Sequence, residues 1–330
     1  MSKQINWGVL GLGKIAKKFL HDLNLSRIGN VYAVGSRNLD KANQYKSTFY
    51  ADKAYGSYSS LLEDPLIDVV YIATPHSHHY PLLIECIDRG INVLCEKPIC
   101  VNQNQLLDIQ KRANDKGVFV MEALWTRFLP FFEPLMETIE SFDSSIRALY
   151  AEFCFTSEYD SSSRLYDPLL AGGSLMDIGI YPVFLALQIM GSPQNILTNG
   201  YVSKGVDLRF SSIFDYGEGR SAMVSSDITT DSNVQALIKC GNSSIVIPER
   251  WHESDLFISK EGRNFREYRY PKIGFGYYHE IEHVNEMILD GQKESSKFNL
   301  ENSIELMGNL DHIRDQIGLV YPDNIESVRN

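Results

Sequence analysis

The chain has 330 residues, 31 Lys and Arg against 42 Asp and Glu, a net charge of −11 and 44% hydrophobic residues. That length suits two domains with cores of their own, while the acidic balance argues against nucleic acid or an anionic membrane as partner and leaves small molecules. Five cysteines, an odd number, with no cationic-then-apolar leader and no apolar run read as reaching transmembrane length, lead to the expectation of a reduced, cytoplasmic protein with no membrane and no metal.

Ile5–Leu10 reads as a short buried strand, and Gly11-Leu12-Gly13-Lys14-Ile15-Ala16 follows at once. Ile15, Phe19 and Leu23 then repeat every four residues, as one face of a helix does. Strand, glycine turn and helix start in that order form a dinucleotide fingerprint. Gly11 permits the tight turn, Gly13 lets the backbone approach a pyrophosphate, Ala16 allows close helix–sheet packing, and the first helical N–H groups receive the anion. The bland alternative is a tight turn with no ligand, and the position after the first strand weighs against it.

Val31–Gly35 reads as the second strand and is followed by Ser36-Arg37-Asn38. An NAD enzyme usually carries Asp or Glu there, about twenty residues past the fingerprint, for the ribose 2′-OH. An Arg fork instead suits a 2′-phosphate. NADP is therefore expected, with NAD left open, because Asp40 could take the ribose if it were not the N-terminal residue of the next helix.

Val69–Ala73, Val93–Cys95 and Val118–Met121 read as further strands, alternating with helices over Pro81–Arg89 and Asn102–Lys116 that end at Gly90 and Gly117. Glu96-Lys97-Pro98 stands just past the apolar run Ile91–Cys95. A lysine is badly placed for packing there and well placed for chemistry, since ligands of open parallel sheets sit outside the carboxyl ends of the strands. Alone, the tripeptide also reads as a charged turn.

After Glu122 the pattern changes. Arg147–Phe155, Leu208–Phe214, Ser221–Ile228, Val234–Lys239, Ser244–Ile247, Leu256–Ser259 and Glu267–Tyr270 are strand-like, with hairpin turns at Tyr216-Gly217-Glu218-Gly219 and Cys240-Gly241-Asn242. Helices are expected over Ser174–Met190, Tyr278–Leu289 and Glu301–Ile317. In the first of these, Asp177 and Tyr181 are spaced i, i+4 and share a face. The fold class is thus α/β: a Rossmann domain with a doubly wound parallel sheet over residues 1–122, then an α+β domain with a mostly antiparallel, open-faced sheet over residues 123–330, expected to bind substrate and to dimerise.

Two patterns lead nowhere. His76, His78 and His79 near Cys86, Cys95 and Cys100 match no metal-ligand spacing. Tyr268 and Lys272 resemble a short-chain dehydrogenase dyad, but Pro271 between them forbids the helix that dyad needs.

The fingerprint, Glu96-Lys97-Pro98 and Asp177-Ile178-Gly179-Ile180-Tyr181 together resemble the glucose–fructose oxidoreductase / inositol dehydrogenase (Gfo/Idh/MocA) superfamily. Met121-Glu122-Ala123-Leu124-Trp125-Thr126-Arg127-Phe128 and the tail Ile317-Gly318-Leu319-Val320-Tyr321-Pro322 are similar to its dimeric dihydrodiol dehydrogenase-like branch. The resemblance covers essentially the whole chain. It implies hydride transfer between a nicotinamide and a hydroxyl or carbonyl carbon of a sugar, cyclitol or dihydrodiol. Lys97 would exchange the hydroxyl proton, Tyr181 would relay or donate it, and Asp177 would orient the hydroxyl or Lys97; which of Lys97 and Tyr181 is the principal acid–base stays open. Glu96 would hold a cofactor ribose, Trp125 and Arg127 would border substrate and cofactor, and the loop Thr74-Pro75-His76-Ser77-His78-His79 would border the nicotinamide, with His76 where the family usually has Asn. Pro98 rigidifies its loop and permits a cis bond. Specificity would lie in loops such as Glu158–Leu170, and a homodimer through the second sheet is implied. A cofactor-binding sensor without turnover is the rival, against which the joint presence of Lys97, Asp177 and Tyr181 speaks.

Overall fold

Branched and aromatic runs flanked by glycine turns build two sheets, seen in a computed structural model that describes residues 4–329. The chain divides into two units. The first comprises Met1–Phe128, Lys272–Ile304 and Val328–Asn330, the second Leu129–Pro271 and Glu305–Ser327. A contiguous second domain over 123–330 is therefore corrected, since the segment from Lys272 to Ile304 returns to the first unit.

The reason for that return is tertiary. Trp7 on the first strand is fully buried and donates from Nε1 to Asn285 Oδ1 at 2.9 Å, on the helix Tyr277–Leu289. Asp22, also fully buried, accepts from the backbone N–H groups of Phe275 (2.9 Å) and Tyr278 (3.2 Å) at the start of that helix. Such partners are set by the folded chain and carry no local sequence signal.

In the first unit β1 (Ile5–Leu10), β2 (Gly29–Gly35), β3 (Lys53–Tyr55), β4 (Val69–Ile72), β5 (Asn92–Glu96) and β6 (Val120–Ala123) form one sheet in the order β3-β2-β1-β4-β5-β6, every neighbouring pair parallel. The order reverses between β1 and β4, and a crevice for a ligand forms at the carboxyl ends of such strands. The three-residue edge strand β3 lies outside the sequence reading because it is too short for a periodic signal. Phe19 stacks on Tyr71 with centroids 3.6 Å apart and tilts against Trp7 at 5.5 Å, which seats the first helix, Lys14–Leu23, on the sheet.

The second unit carries β7 (Ala148–Cys154), β8 (Asn195–Ser203), β9 (Val206–Asp215), β10 (Ser221–Asp227), β11 (Ala236–Cys240), β12 (Ser243–Ile247), β13 (Leu256–Glu261) and β14 (Asn264–Arg269). Their order is β14-β13-β12-β11-β7-β10-β9-β8; only β7 and β10 pair in parallel. Strand β8 was not expected, because it is an edge strand whose polar and apolar residues do not alternate. Alternation on β9 buries Phe210 and Phe214 on one face and leaves Ile213 43% exposed on the other, beside Tyr150, Leu197 and Met223. These line a shallow hollow of ≈ 870 Å³ on the open face of the sheet.

The expected helix Ser174–Met190 opens with a π-turn, Leu175–Gly179, before the α-helix Ile180–Met190. Pro182 has no N–H to return to the Ile178 carbonyl, so the α-type ladder cannot run unbroken through this point. π-turns inside helices are frequent at functional sites. By length and composition the segment Pro168–Met190 is apolar enough to cross a membrane, at 23 residues and mean hydropathy 1.6, which corrects the sequence reading. Yet 89% of that window is buried within the fold, as in the core helix of a globular unit.

Candidate active site

On the first unit, Gly11 has φ +90°, and a Cβ there would meet the Ala73 carbonyl carbon and oxygen at 2.7 Å. Only glycine fits that turn. Gly13, the N-cap of the helix Lys14–Leu23, has no side-chain cap, and a Cβ there would meet nothing within 4 Å. The first helical N–H groups thus face an open approach, as a pyrophosphate requires. Ala16 is fully buried against the sheet and Leu12 is buried, while Lys14 is exposed and Ile15 half-buried.

Past β2, Ser36 is buried and its hydroxyl accepts from the Asn38 N–H at 3.1 Å. Asn38 caps the helix Leu39–Phe49 by accepting from the Lys41 N–H at 3.0 Å, which puts Asp40 in that helix's first turn, its place under the NADP reading. Arg37 is exposed. Burial and then the Arg37 charge push the imidazole of His78 down, so the guanidinium lies toward the loop after β4.

In that loop Thr74 Oγ1 is buried with no hydrogen-bond partner among the described residues, and Pro75 is half-buried ahead of the buried His76. His79 is fully buried, Nδ1 lies 2.8 Å from the Pro98 carbonyl oxygen, and Nε2 lies 2.8 Å from that of Thr74. Burial, against the pull of these two carbonyls, takes its pKa down to about 4, so the ring is neutral and donates to only one of them. With each ring nitrogen 2.8 Å from a backbone carbonyl oxygen, His79 is wedged between the Thr74 and Pro98 peptides and braces the loop that carries Lys97.

Glu96 closes β5, nearly buried, and accepts a hydrogen bond from the Tyr71 hydroxyl. Lys97 follows, half-buried, and the Lys97–Pro98 bond is cis. On the far side the Ile99 N–H donates to Glu122 Oε1 at 3.0 Å. Lys97 is thus carried on a backbone pinned at both following residues. Glu122 itself is raised to about 7, by burial first, while the Lys97 charge pulls it down. Trp125 stacks on Tyr277 with centroids 4.8 Å apart and is 5% exposed, a packing role within this unit. Half-buried Arg127 lies near enough to His283 to add its charge to the burial that takes that histidine to about 4.

On the second unit, Asp177 lies in the π-turn and Tyr181 in the first turn of the α-helix, 6% exposed. Arg164 Nη2 reaches Asp177 Oδ1 at 3.0 Å. Its neighbours Leu165 and Tyr166 are anchored in a cluster with Ile178, Val206 and Ile228. Tyr181 is walled by aromatic rings: Phe153 at 5.7 Å and His252 at 5.2 Å, these two stacked at 4.1 Å. Sequence reasoning missed Arg164, His252 and Phe153. Only Arg164 had a signal, as a charge inside the loop expected to set specificity. Among the described residues no three His, Cys, Asp or Glu side chains gather as a metal site.

A reversed parallel sheet with a glycine turn under an open helix start after β1, and a lysine just past the end of β5, defines a nicotinamide-dinucleotide oxidoreductase. Comparison with known proteins agrees. Residues 5–124 match the oxidoreductase family with an NAD-binding Rossmann fold, and residues 145–246 the GFO/IDH/MocA C-terminal domain. Trans-1,2-dihydrobenzene-1,2-diol dehydrogenase of Xenopus tropicalis is 33% identical, over 96% of this chain and 99% of its own length. The human protein of that name is 31% identical over 97% and 99%. Among solved structures, the 3-ketoreductase KijD10 of Actinomadura kijaniata, in complex with NADP and TDP-benzene, superimposes with a TM-score of 0.87 at 20% identity, covering 96% of this chain and 98% of its own. An aldose–aldose oxidoreductase of Caulobacter crescentus, complexed with glycerol, gives 0.85 at 19% identity, covering 95% and 97%. The chain belongs to the GFO/IDH/MocA oxidoreductase family and is an NAD(P)-dependent oxidoreductase.

Proposed function

We propose that the protein is an NADP-dependent dehydrogenase of a cyclic vicinal diol, of the dihydrodiol type that names its relatives, with sugars and cyclitols as further substrates. The observation that carries this reading is Lys97, fixed at the carboxyl end of β5 by backbone pins on both following residues. The aromatic wall of Phe153 and His252 around Tyr181 supports a flat, ring-bearing substrate.

The residues fit a dinucleotide: an open glycine turn, an uncapped helix start and the unsatisfied Thr74 hydroxyl. Gly11 to Ala16 would hold the pyrophosphate, Ser36 and Arg37 the ribose 2′-phosphate, and Glu96 a ribose hydroxyl. Bound there, the nicotinamide supplies a hydride acceptor and donor. The family resemblance assigns Lys97 the exchange of the substrate hydroxyl proton, Tyr181 its relay, and Asp177 the orientation of the diol. Arg164 pairs with the Asp177 carboxylate at 3.0 Å. The reading includes a cytoplasmic homodimer, supported by the apolar residues on the open face of the second sheet.

The test is single-turnover hydride transfer with NADP⁺ and trans-1,2-dihydrobenzene-1,2-diol, cofactor affinity being measured separately. Lys97→Met should bind cofactor normally and lose ~10²–10⁴-fold in rate, the span of general acid–base catalysis. Tyr181→Phe should lose less if it relays and as much if it is the acid. A Lys97→Met enzyme with near-normal transfer would end the assignment.

A further inference from the structure

Asp207 is the second residue of β9, fully buried, where a carboxylate is costly. Its surroundings say what it does there. Oδ2 accepts from the Leu175 N–H at 2.7 Å, the first residue of the π-turn, whose N-cap Ser174 supplies no side-chain cap. The first N–H groups of a helical segment need such a partner, and here it comes from a strand. Gly173 has φ +115°, and a Cβ on it would overlap Asp207 Oδ1, so glycine is what lets the carboxylate in.

The same turn is held from two other directions. Tyr321 donates from its hydroxyl to the Gly172 carbonyl at 2.6 Å, and the hydroxyls of Ser174 and Ser226 lie 2.5 Å apart. The Arg314 guanidinium covers the Tyr321 ring at 4.7 Å. Gly172 to Leu175 is therefore clamped at successive backbone and side-chain groups, immediately before Asp177 and Tyr181.

We propose that Asp207 is a positioning residue for the reaction: by fixing the start of the Leu175–Gly179 turn it sets the places of Asp177 and Tyr181. This rests on the reading above in which those two act on the substrate.

The experiment is a double-mutant cycle in the full-length protein, with NADP⁺ and trans-1,2-dihydrobenzene-1,2-diol as substrates. Asp207→Ala should lower kcat about 100-fold, the scale of a reacting group misplaced by about 1 Å, with cofactor affinity unchanged. Asp207→Asn, which keeps an acceptor for the Leu175 N–H, should recover most of that loss. In a Tyr181→Phe background the Asp207→Ala effect should shrink, what remains being the displacement of Asp177. Should Asp207→Ala not fold, Gly173→Ala, which displaces the carboxylate while keeping it, should show the same loss of kcat. An effect of equal size in both backgrounds, or a lowered Tm with unchanged kcat, overturns the inference. Tyr181→Phe with normal turnover overturns the functional reading itself and the inference with it, whereas a slow Tyr181→Phe beside a normal Asp207→Ala overturns the inference alone.

Discussion

Replacing Glu122 by Gln should change how the stability of the protein depends on pH. Glu122 is 1% exposed near the end of β6; Oε1 holds the Ile99 N–H, and Oε2 has no hydrogen bond among the described residues. Burial is the main reason its carboxyl rises from 4.5 to about 7, with Glu96 adding to the rise and Lys97 opposing it. The fold thus prefers the protonated acid. Its contribution to stability is complete below about 4.5, declines above it, and is gone once pH has risen through about 7. A rise from 4.5 to about 7 amounts to ~3 kcal/mol. Gln keeps a carbonyl oxygen for the Ile99 N–H and cannot ionise. Urea unfolding of the apo protein at pH 5 and pH 8 should therefore show the wild type losing up to ~3 kcal/mol more than Glu122→Gln between those values. Asp207, raised to about 7, and Glu280, raised further, work in the same direction in both proteins, so the difference isolates Glu122. Equal losses in the two proteins would refute the argument.

Arg37→Ala should erase most of an NADPH-over-NADH preference, costing ~1.5–3 kcal/mol or one to two decades of NADPH affinity by cofactor-fluorescence titration; equal wild-type affinities would sink the NADP reading. On the open sheet face, Ile213 and Met223 are register partners on β9 and β10, both nearly half exposed. Replacing both with Lys should leave the fold intact and convert a dimer to a monomer by light scattering at micromolar concentration, and a monomeric wild type would refute the dimer.

How much of this was legible in the sequence depends on which groups enforce it. Gly11 was readable because its positive φ and the nearby Ala73 carbonyl admit no other residue. Lys97 was readable because an ionic side chain at a strand end violates packing. Asp177 falls in a π-turn and Tyr181 in the first α-turn after it, a change of geometry that the i, i+4 spacing does not announce. His79 was given to the cofactor because a motif reading gives it the whole loop, while the position of its ring between the Thr74 and Pro98 carbonyls carries no local signal. The edge strands β3 and β8, one short and the other without alternation, gave no period to detect.

Glu122 and Asp207 stayed invisible for a further reason. Each carboxylate stands between apolar neighbours, Met121 and Ala123 or Val206 and Leu208, and nothing around it in sequence shows which backbone N–H it will meet. Their placement nonetheless has a logic. One holds the peptide that follows Lys97 and Pro98; the other holds the peptide that opens the turn bearing Asp177. Each is fully desolvated and raised to about 7, so each lowers stability at neutral pH. A fold selected for stability alone would replace such acids with apolar side chains or with neutral acceptors. Departures from the packing rules are expected where function requires them, and the surrounding core offsets the cost. Two buried acids beside two catalytic candidates are thus mutually consistent: the acids explain the rigidity of the backbone, and the need for that rigidity explains the acids.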